Sequence, residues 1–165
     1  MAGDETVFGV IGGNLKLGIF KSAYAALVLT DRRLIYVFVT RQMTNDAIKK
    51  AGEKAKAEGK GLFGKMGATM AASADLLRNF ASMDPEEVMA LNPENFAIPV
   101  DSVTRARLDR ISRKDHEGDY HGESIELHVE TPQRKLKLTV NFMTSTPEVI
   151  LRRSLGNKVV RGKHY

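Results

Sequence analysis

Two apolar runs separated by a short polar break are the feature that most restricts how this chain can fold. Residues 24–29 are almost entirely apolar, and residues 34–39 are rich in β-branched and aromatic side chains. Runs of this kind around a short break predict a β-hairpin, here at residues 23–40. Because neither run alternates polar with apolar residues, both faces of the hairpin are predicted to be covered.

Alternating patterns predict further strands on both sides of the hairpin. Residues 14–20 alternate as in a strand with one buried face, and the glycine pair before them is predicted to form a turn. Strand character returns at residues 96–111. The clearest strands follow at 123–130 and 135–142, each with one apolar and one polar face. The pattern predicts an antiparallel meander with one side in contact with solvent.

Helical patterns fill the interval between the hairpin and the later strands. An Ala-, Lys- and Glu-rich helix is predicted from about Thr44, with Thr44 or Asn45 as its cap. A second helix carries an apolar stripe, which consists of Leu62, Met66, Met70, Ala74 and Leu77. Asp84 and Pro85 open a short third helix, so that the helical insert spans about residues 43–92.

A last helix is predicted to close the chain. It begins at Pro147, after a Thr or Ser cap, and is expected to turn Val149, Ile150 and Leu155 toward the core. Gly156 ends it. The basic tail at 157–165 is predicted to be frayed and flexible.

The composition narrows the class of protein. There is no cysteine, which removes a disulfide framework, a thiolate zinc site and a cysteine nucleophile, and which favours the cytosol. No apolar run approaches the roughly 20 residues that span a bilayer, and the N-terminal stretch is acidic where a secretory signal is basic. We therefore expect one domain over residues 1–165 in the cytoplasm, with the inner face of the membrane as the place of any peripheral contact.

Three segments carry motifs that go beyond periodicity: YAALVLTDRRLIYV at 24–37, FAIPVDSV at 96–103, and the capped helix at 145–155. They resemble the hairpin, the following strand and the capping helix of prokaryotic pleckstrin-homology-like (PH-like) and GRAM-like domains. The resemblance covers about residues 5–40 and 95–156 and leaves the insert unmatched. It implies an α+β fold, namely an antiparallel barrel or sandwich of about seven strands capped by a C-terminal helix. It also implies a scaffold that binds lipids, peptides or proteins.

The histidines and glycines match no catalytic or cofactor motif. His116 and His121 lie among acids in a polar turn, where a solvated loop is favoured over a metal site. His128 is predicted to point outward from a strand. The glycine clusters lack the spacing of a phosphate loop or a dinucleotide fingerprint. The sequence therefore predicts no enzyme, no cofactor, no metal and no small-molecule substrate.

The positive charge is uneven and leaves several binding partners open. Residues 41–78 hold eight bases against four acids, and residues 148–165 hold five against one, so each segment has a net charge of +4. The favoured hypothesis is a protein-interaction module, with a protein partner or as a homo-oligomer, in which Met66 and Met70 with nearby Met83 and Met89 form an adaptable apolar surface.

Two further hypotheses use the basic residues. Peripheral binding to an anionic membrane would use basic and apolar side chains of the insert: Lys49, Lys50, Lys54, Lys56, Lys60, Leu62, Phe63, Met66 and Met70. Nucleic-acid binding would use a basic patch of Arg105, Arg107, Arg152 and Arg153. Nucleic acid is disfavoured because neighbouring acids balance that charge and no exposed aromatic residues are interleaved with it.

Overall fold

The computed structural model describes residues 4–59, 63–114, 120–143 and 145–165. In these residues it has eight strands, which are β1 (Val7–Lys16), β2 (Ser22–Thr30), β3 (Arg33–Phe38), β4 (Phe96–Pro99), β5 (Arg105–Lys114), β6 (Tyr120–Glu130), β7 (Lys135–Met143) and β8 (Val159–Arg161). It has four α-helices, which are α1 (Arg41–Ala57), α2 (Phe63–Ser82), α3 (Pro85–Ala90) and α4 (Pro147–Leu155).

The strands form one sheet with the order β4-β3-β2-β1-β7-β6-β5-β8. All pairs in it are antiparallel except β5 with β8, which is parallel. The α+β class and the predominantly antiparallel sheet are therefore confirmed. Of the two predicted alternatives, barrel or sandwich, a closed barrel is wrong, because the order of the described strands ends in two edge strands, β4 and β8, which do not pair with each other.

The predicted hairpin at residues 23–40 is confirmed as β2 and β3, with Leu29 opposite Leu34 at its closed end. Thr30 organises the turn, since its Oγ1 accepts hydrogen bonds from the backbone N of Arg33 at 2.9 Å and of Arg32 at 3.1 Å. A threonine hydroxyl that bonds the backbone two and three residues ahead stabilises a tight turn. The polar break thus fixes the register of the two most apolar strands.

The two faces of the hairpin are covered by different parts of the chain. One face belongs to a core cluster shared with α4, to which the hairpin contributes Leu27, Leu29, Leu34 and Tyr36. The other face packs against α2 and α3 and contributes Ala26, Val28, Ile35 and Val37. All eight side chains are fully buried, which confirms that both faces of the hairpin are covered.

The helical insert docks on the sheet through α2 and α3. Leu77 and Phe80 of α2 and Val88 of α3 are buried against the outer face of β1–β3. The predicted stripe is only partly correct, because Met70 is 66% exposed although it lies two turns before the buried Leu77. Of the predicted stripe, Leu77 lies on the docked face, and this face also includes Phe80, which the stripe omits.

The helix boundaries follow the capping residues. Helix α1 begins at Arg41, three residues before Thr44, because Thr40 is extended and its Oγ1 accepts a hydrogen bond from the N of Met43. Helix α3 begins as predicted, since Asp84 Oδ1 accepts from the N of Glu86 at 2.8 Å and Pro85 occupies the first turn. The predicted caps Thr44 and Asn45 therefore lie inside α1.

Helix α4 closes the inner face of the sheet. It runs from Pro147 to Leu155 and ends at Gly156, which has φ +59°, as the sequence predicts. Ile150 and Leu155 are buried in the core as expected. Val149, by contrast, is 48% exposed, because it lies outside the helix face that packs on the sheet. The buried residues of that face are Ile150, Leu151, Ser154 and Leu155.

The first strand differs most from its prediction. It spans Val7–Lys16 instead of residues 14–20, and the predicted turn glycines Gly12 and Gly13 lie inside it. A Cβ on Gly13 would lie 2.1 Å from the backbone oxygen of Thr139, so β1 approaches β7 more closely than any other residue type allows. The register of the two strands shifts at this point. The glycines therefore serve strand packing rather than a turn.

The C-terminal tail is partly structured. The prediction of a frayed segment from 157 to 165 is wrong for its middle, because Val159–Arg161 forms β8 alongside β5. Val159 is 2% exposed and belongs to the core. The Glu148 carboxylate, at the start of α4, accepts hydrogen bonds from Nε of Arg161 at 3.0 Å and of Arg152 at 2.9 Å. This contact ties the tail to α4.

The stabilising contact between Glu148 and the two arginines is expected to depend on pH. The guanidinium groups of Arg161 and Arg152 lower the pKa of Glu148. The carboxylate therefore stabilises the fold above the pKa of an unpaired glutamate, about 4.3, and this contribution is lost as pH falls through the lower folded-state pKa. We expect Glu148→Gln to lower Tm slightly at neutral pH and to leave it unchanged in acid. Thermal unfolding of both proteins measures Tm, and an equal decrease in Tm at neutral and at acid pH would contradict a role for the charge of Glu148.

Candidate functional site

The loop between β1 and β2 exposes three large apolar side chains, of which Leu17 is the least exposed. A hydrogen bond of 2.8 Å from the N of Leu17 to the carbonyl oxygen of Lys21 closes the loop. At its end Ile19 is 84% exposed and Phe20 is fully exposed, and we call this pair the apolar tip. Apolar side chains that gather at the surface in this way mark interaction sites more often than isolated ones do. The tip is therefore a candidate contact for a partner or a membrane.

Three lysines line a concave surface beside the apolar tip. This surface encloses about 450 Å³, and the charged residues that line it are Lys16, Lys21, Lys137 and Glu126. Lys137 Nζ forms an ion pair with Glu126 Oε1 at 2.7 Å. Within the described parts of the chain, Lys16 and Lys21 form no ion pair. The surface, which we call the cationic concavity, thus keeps a positive charge available for an anionic ligand.

Strand periodicity explains why these lysines meet. Leu15 of β1 pairs with Leu138 of β7, and both are buried in the core. Their neighbours Lys16 and Lys137 must then point to the opposite face, since side chains alternate along a strand. Lys21 stands on the other side of the short loop. The sheet therefore presents positive charge immediately beside the exposed Ile19 and Phe20.

The residues predicted from the insert occupy several environments. Lys49, Lys50, Lys54 and Lys56 are exposed on α1. Lys60 and Leu62 lie outside the described residues, and the side chains of Phe63 and Met66 in α2 also lie outside them. Met70 is the one predicted apolar residue whose exposure is described. The structure therefore places four exposed lysines on α1. Among the described residues, no exposed apolar pair like Ile19 and Phe20 lies with them.

Half of the basic patch predicted around β5 is paired with acids. Arg107 Nε lies 2.8 Å from Asp109 Oδ2, and Arg152 Nε lies 2.9 Å from Glu148 Oε1. Arg105 is exposed and stands opposite Glu130 in the β5–β6 register. Arg153 is also exposed. Because two of these four cations already have carboxylate partners, the patch is a weak candidate for binding a polyanion.

A charged network covers the outer face of β5 and β6. The Nε2 of His128 lies 3.3 Å from Asp109 Oδ2 and 3.4 Å from Glu126 Oε2. The outward orientation predicted for His128 is confirmed, because Leu127 and Val129 on either side are buried. His116 lies outside the described residues, as does the side chain of His121. Among the side chains that are described, no three His, Asp or Glu groups are arranged to hold a metal ion.

Comparison with known proteins returns no match to a family model, a curated protein or a solved structure. The class of protein is therefore defined by the fold itself: an α+β protein with an open, mostly antiparallel sheet and helices on both of its faces. In the described part of the chain no helix combines the length and apolar character needed to cross a bilayer.

Proposed function

We propose that this protein is a non-catalytic binding module that attaches peripherally to anionic membranes through the apolar tip and the cationic concavity. The observation that carries the proposal is the exposure of Ile19 at 84% and of Phe20 at its maximum, directly beside Lys16 and Lys21, neither of which forms an ion pair with a described residue. Apolar side chains that enter the acyl boundary while cations meet the headgroups are the standard combination for interfacial binding. The inner face of the cell membrane is the proposed location.

The expected free energies indicate that the lysines and the apolar side chains both contribute to membrane binding. Each lysine near an anionic surface contributes about 1 kcal/mol, and partial burial of Ile19 and Phe20 contributes about 3 kcal/mol together. Their sum, about 5 kcal/mol, corresponds to a Kd of about 0.2 mM, so we expect weak, reversible attachment that needs both signals. Both act from one short loop, so no rearrangement of the fold is required.

The other binding hypotheses have less support. Met83 and Met89 are partly buried in the cluster between the insert and the sheet, so these two methionines of the proposed protein-binding surface are used in packing, whereas Met70 is 66% exposed. The insert lysines are exposed on α1, and of the apolar residues proposed to act with them Met70 is the one whose side chain is described. The PH-like assignment remains part of this proposal. The hairpin, the meander and the capping helix α4 support it, whereas the open sheet departs from a closed PH-like barrel.

Co-sedimentation with vesicles tests the proposal. The full chain is expected to bind phosphatidylglycerol vesicles at low salt, less at high salt, and phosphatidylcholine vesicles weakly. Replacing both tip residues, Ile19→Ser and Phe20→Ser, is expected to weaken binding by about 100-fold, because about 3 kcal/mol of apolar transfer is lost. Replacing both free lysines, Lys16→Gln and Lys21→Gln, is expected to weaken it by about 30-fold.

A matched pair on the insert provides the control. Lys49→Gln with Lys50→Gln removes the same charge from α1 and is expected to change binding by less than about threefold. If this pair, rather than the loop pair, abolishes sedimentation, the insert is the contact and the proposal is wrong. Absence of vesicle binding together with a mass above that of the monomer would instead favour a protein-interaction module.

A further inference from the structure

A second concave site lies where α1 crosses α2 at the open end of the hairpin. The cavity measures about 390 Å³ and has apolar walls formed by Val39, Ala72 and Leu76, with the polar side chains of Arg41, Thr44 and Asn45 also in its lining. Its size is at the lower end of the range for small-molecule pockets, about 300–1,000 Å³. It is separate from the loop described above, with which it shares no lining residue.

The packing of α1 explains why the cavity exists. Helix α1 has no fully buried residue, so it covers α2 without filling the space between them. Ala47, which lines the cavity from α1, carries only a methyl group. The space between the two helices therefore remains as a groove that is open to solvent, with apolar side chains along its floor and the exposed Arg41, Thr44 and Asn45 at its rim. Such a volume suits a ligand with an apolar body.

The charge in the lining selects the kind of ligand. Arg41 forms no ion pair with any described residue. No acidic residue occupies the first turn of α1, where Arg41 stands, and among the described residues no carboxylate lines the cavity. A planar guanidinium without a partner is well matched to a carboxylate, which it can bind through two parallel hydrogen bonds.

We propose that this cavity binds a small amphipathic carboxylate, with the carboxylate at Arg41 and a short aliphatic chain against Val39, Ala72 and Leu76. Membrane attachment through the loop does not require this site. The ligand class follows from the combination of an apolar volume and one unpaired cation. A neutral or cationic ligand of the same shape would leave Arg41 without a partner.

Isothermal titration of the full chain with octanoate and with octanol tests this site. Octanoate is expected to bind saturably and more tightly than octanol. Arg41→Gln is expected to lower the affinity for octanoate by about tenfold or more and to leave the affinity for octanol unchanged, because only the charged contact is lost. Arg153→Gln, which removes an exposed arginine elsewhere, is expected to change neither. The Ile19→Ser and Phe20→Ser double variant is expected to bind octanoate like the native chain, so failure of the two proposals can be told apart.

Filling the cavity gives a second, independent test. Ala47→Leu extends a side chain into the volume from the half-buried face of α1 and is expected to abolish binding of both ligands. Thermal unfolding of each variant shows whether the fold is intact. The proposal is overturned if the native chain shows no saturable octanoate binding, if folded Ala47→Leu still binds octanoate, or if Arg41→Gln weakens octanoate and octanol equally.

Discussion

Replacing Gly13 with alanine is expected to lower the free energy of unfolding by about 3 kcal/mol. An added Cβ would lie 2.1 Å from the backbone oxygen and 2.8 Å from the backbone carbon of Thr139. Backbone atoms in the middle of a sheet cannot rotate away as the end of a flexible side chain can. Strands β1 and β7 would have to separate, which would disturb the neighbouring Leu15–Leu138 pair in the core.

Two other glycines provide matched controls for Gly13. A Cβ on Gly52, in α1, or on Gly18, in the loop, would have no atom within 4 Å. Gly52→Ala is expected to stabilise the protein by about 0.5–1 kcal/mol through helix propensity, and Gly18→Ala to change stability by less than about 0.5 kcal/mol. Denaturant unfolding measures all three. A cost below about 1 kcal/mol for Gly13→Ala would show that β1 and β7 are not in such close contact.

Truncating the residues that dock the insert is expected to have an effect of similar size. Leu77→Ala and Phe80→Ala should each lower the free energy of unfolding by about 3–4 kcal/mol, since each removes a buried side chain and leaves a cavity. Both side chains are at most 2% exposed and belong to the cluster that covers β1–β3. Denaturant unfolding at constant m-value provides the measurement.

Met70, on the same helix, is the matched control for docking. It is 66% exposed, so Met70→Ala is expected to change stability by less than about 0.5 kcal/mol. Deletion of residues 44–83 with a short linker tests the same point more severely. It would expose Val28, Ile35 and Val37, which are fully buried in the native chain, and cooperative unfolding should be lost. A soluble deletion variant that unfolds cooperatively would mean that the insert is dispensable for the fold.

Periodicity predicted the strands whose burial is regular. The hairpin β2–β3 is apolar on both faces and the meander β6–β7 on one, and each pattern follows directly from side-chain alternation. The caps of α3 and α4 were also predictable, because Asp84 and Gly156 act through local backbone geometry. In these elements the signal lies within a few consecutive residues.

Elements fixed by distant contacts were not predictable in the same way. Strand β1 includes Gly12 and Gly13, which look like a turn until β7 is placed against them. Strand β8 has only three residues and is held by pairing with β5 and by Val159 in the core.

The candidate site was missed for a related reason. The alternation in residues 14–20 predicts that Ile19 belongs to a strand. However, Ile19 and Phe20 are two consecutive apolar residues between Gly18 and Lys21, and they break the alternation. That break was the available signal for an exposed loop. The position of Lys137 beside Lys16 depends on the pairing of β1 with β7, which neither segment specifies alone.

A tryptophan at position 20 reports directly on whether the apolar tip enters a bilayer. The chain has no tryptophan, so Phe20→Trp introduces a single tryptophan that can be excited apart from the four tyrosines, and Met70→Trp places one on α2 as the control. With phosphatidylglycerol vesicles, the emission of Phe20→Trp is predicted to shift to shorter wavelength and to be quenched by brominated lipid chains, while that of Met70→Trp stays unchanged. Unshifted emission from position 20 in protein that sediments with the vesicles, or a shift from position 70 instead, would contradict attachment through the loop.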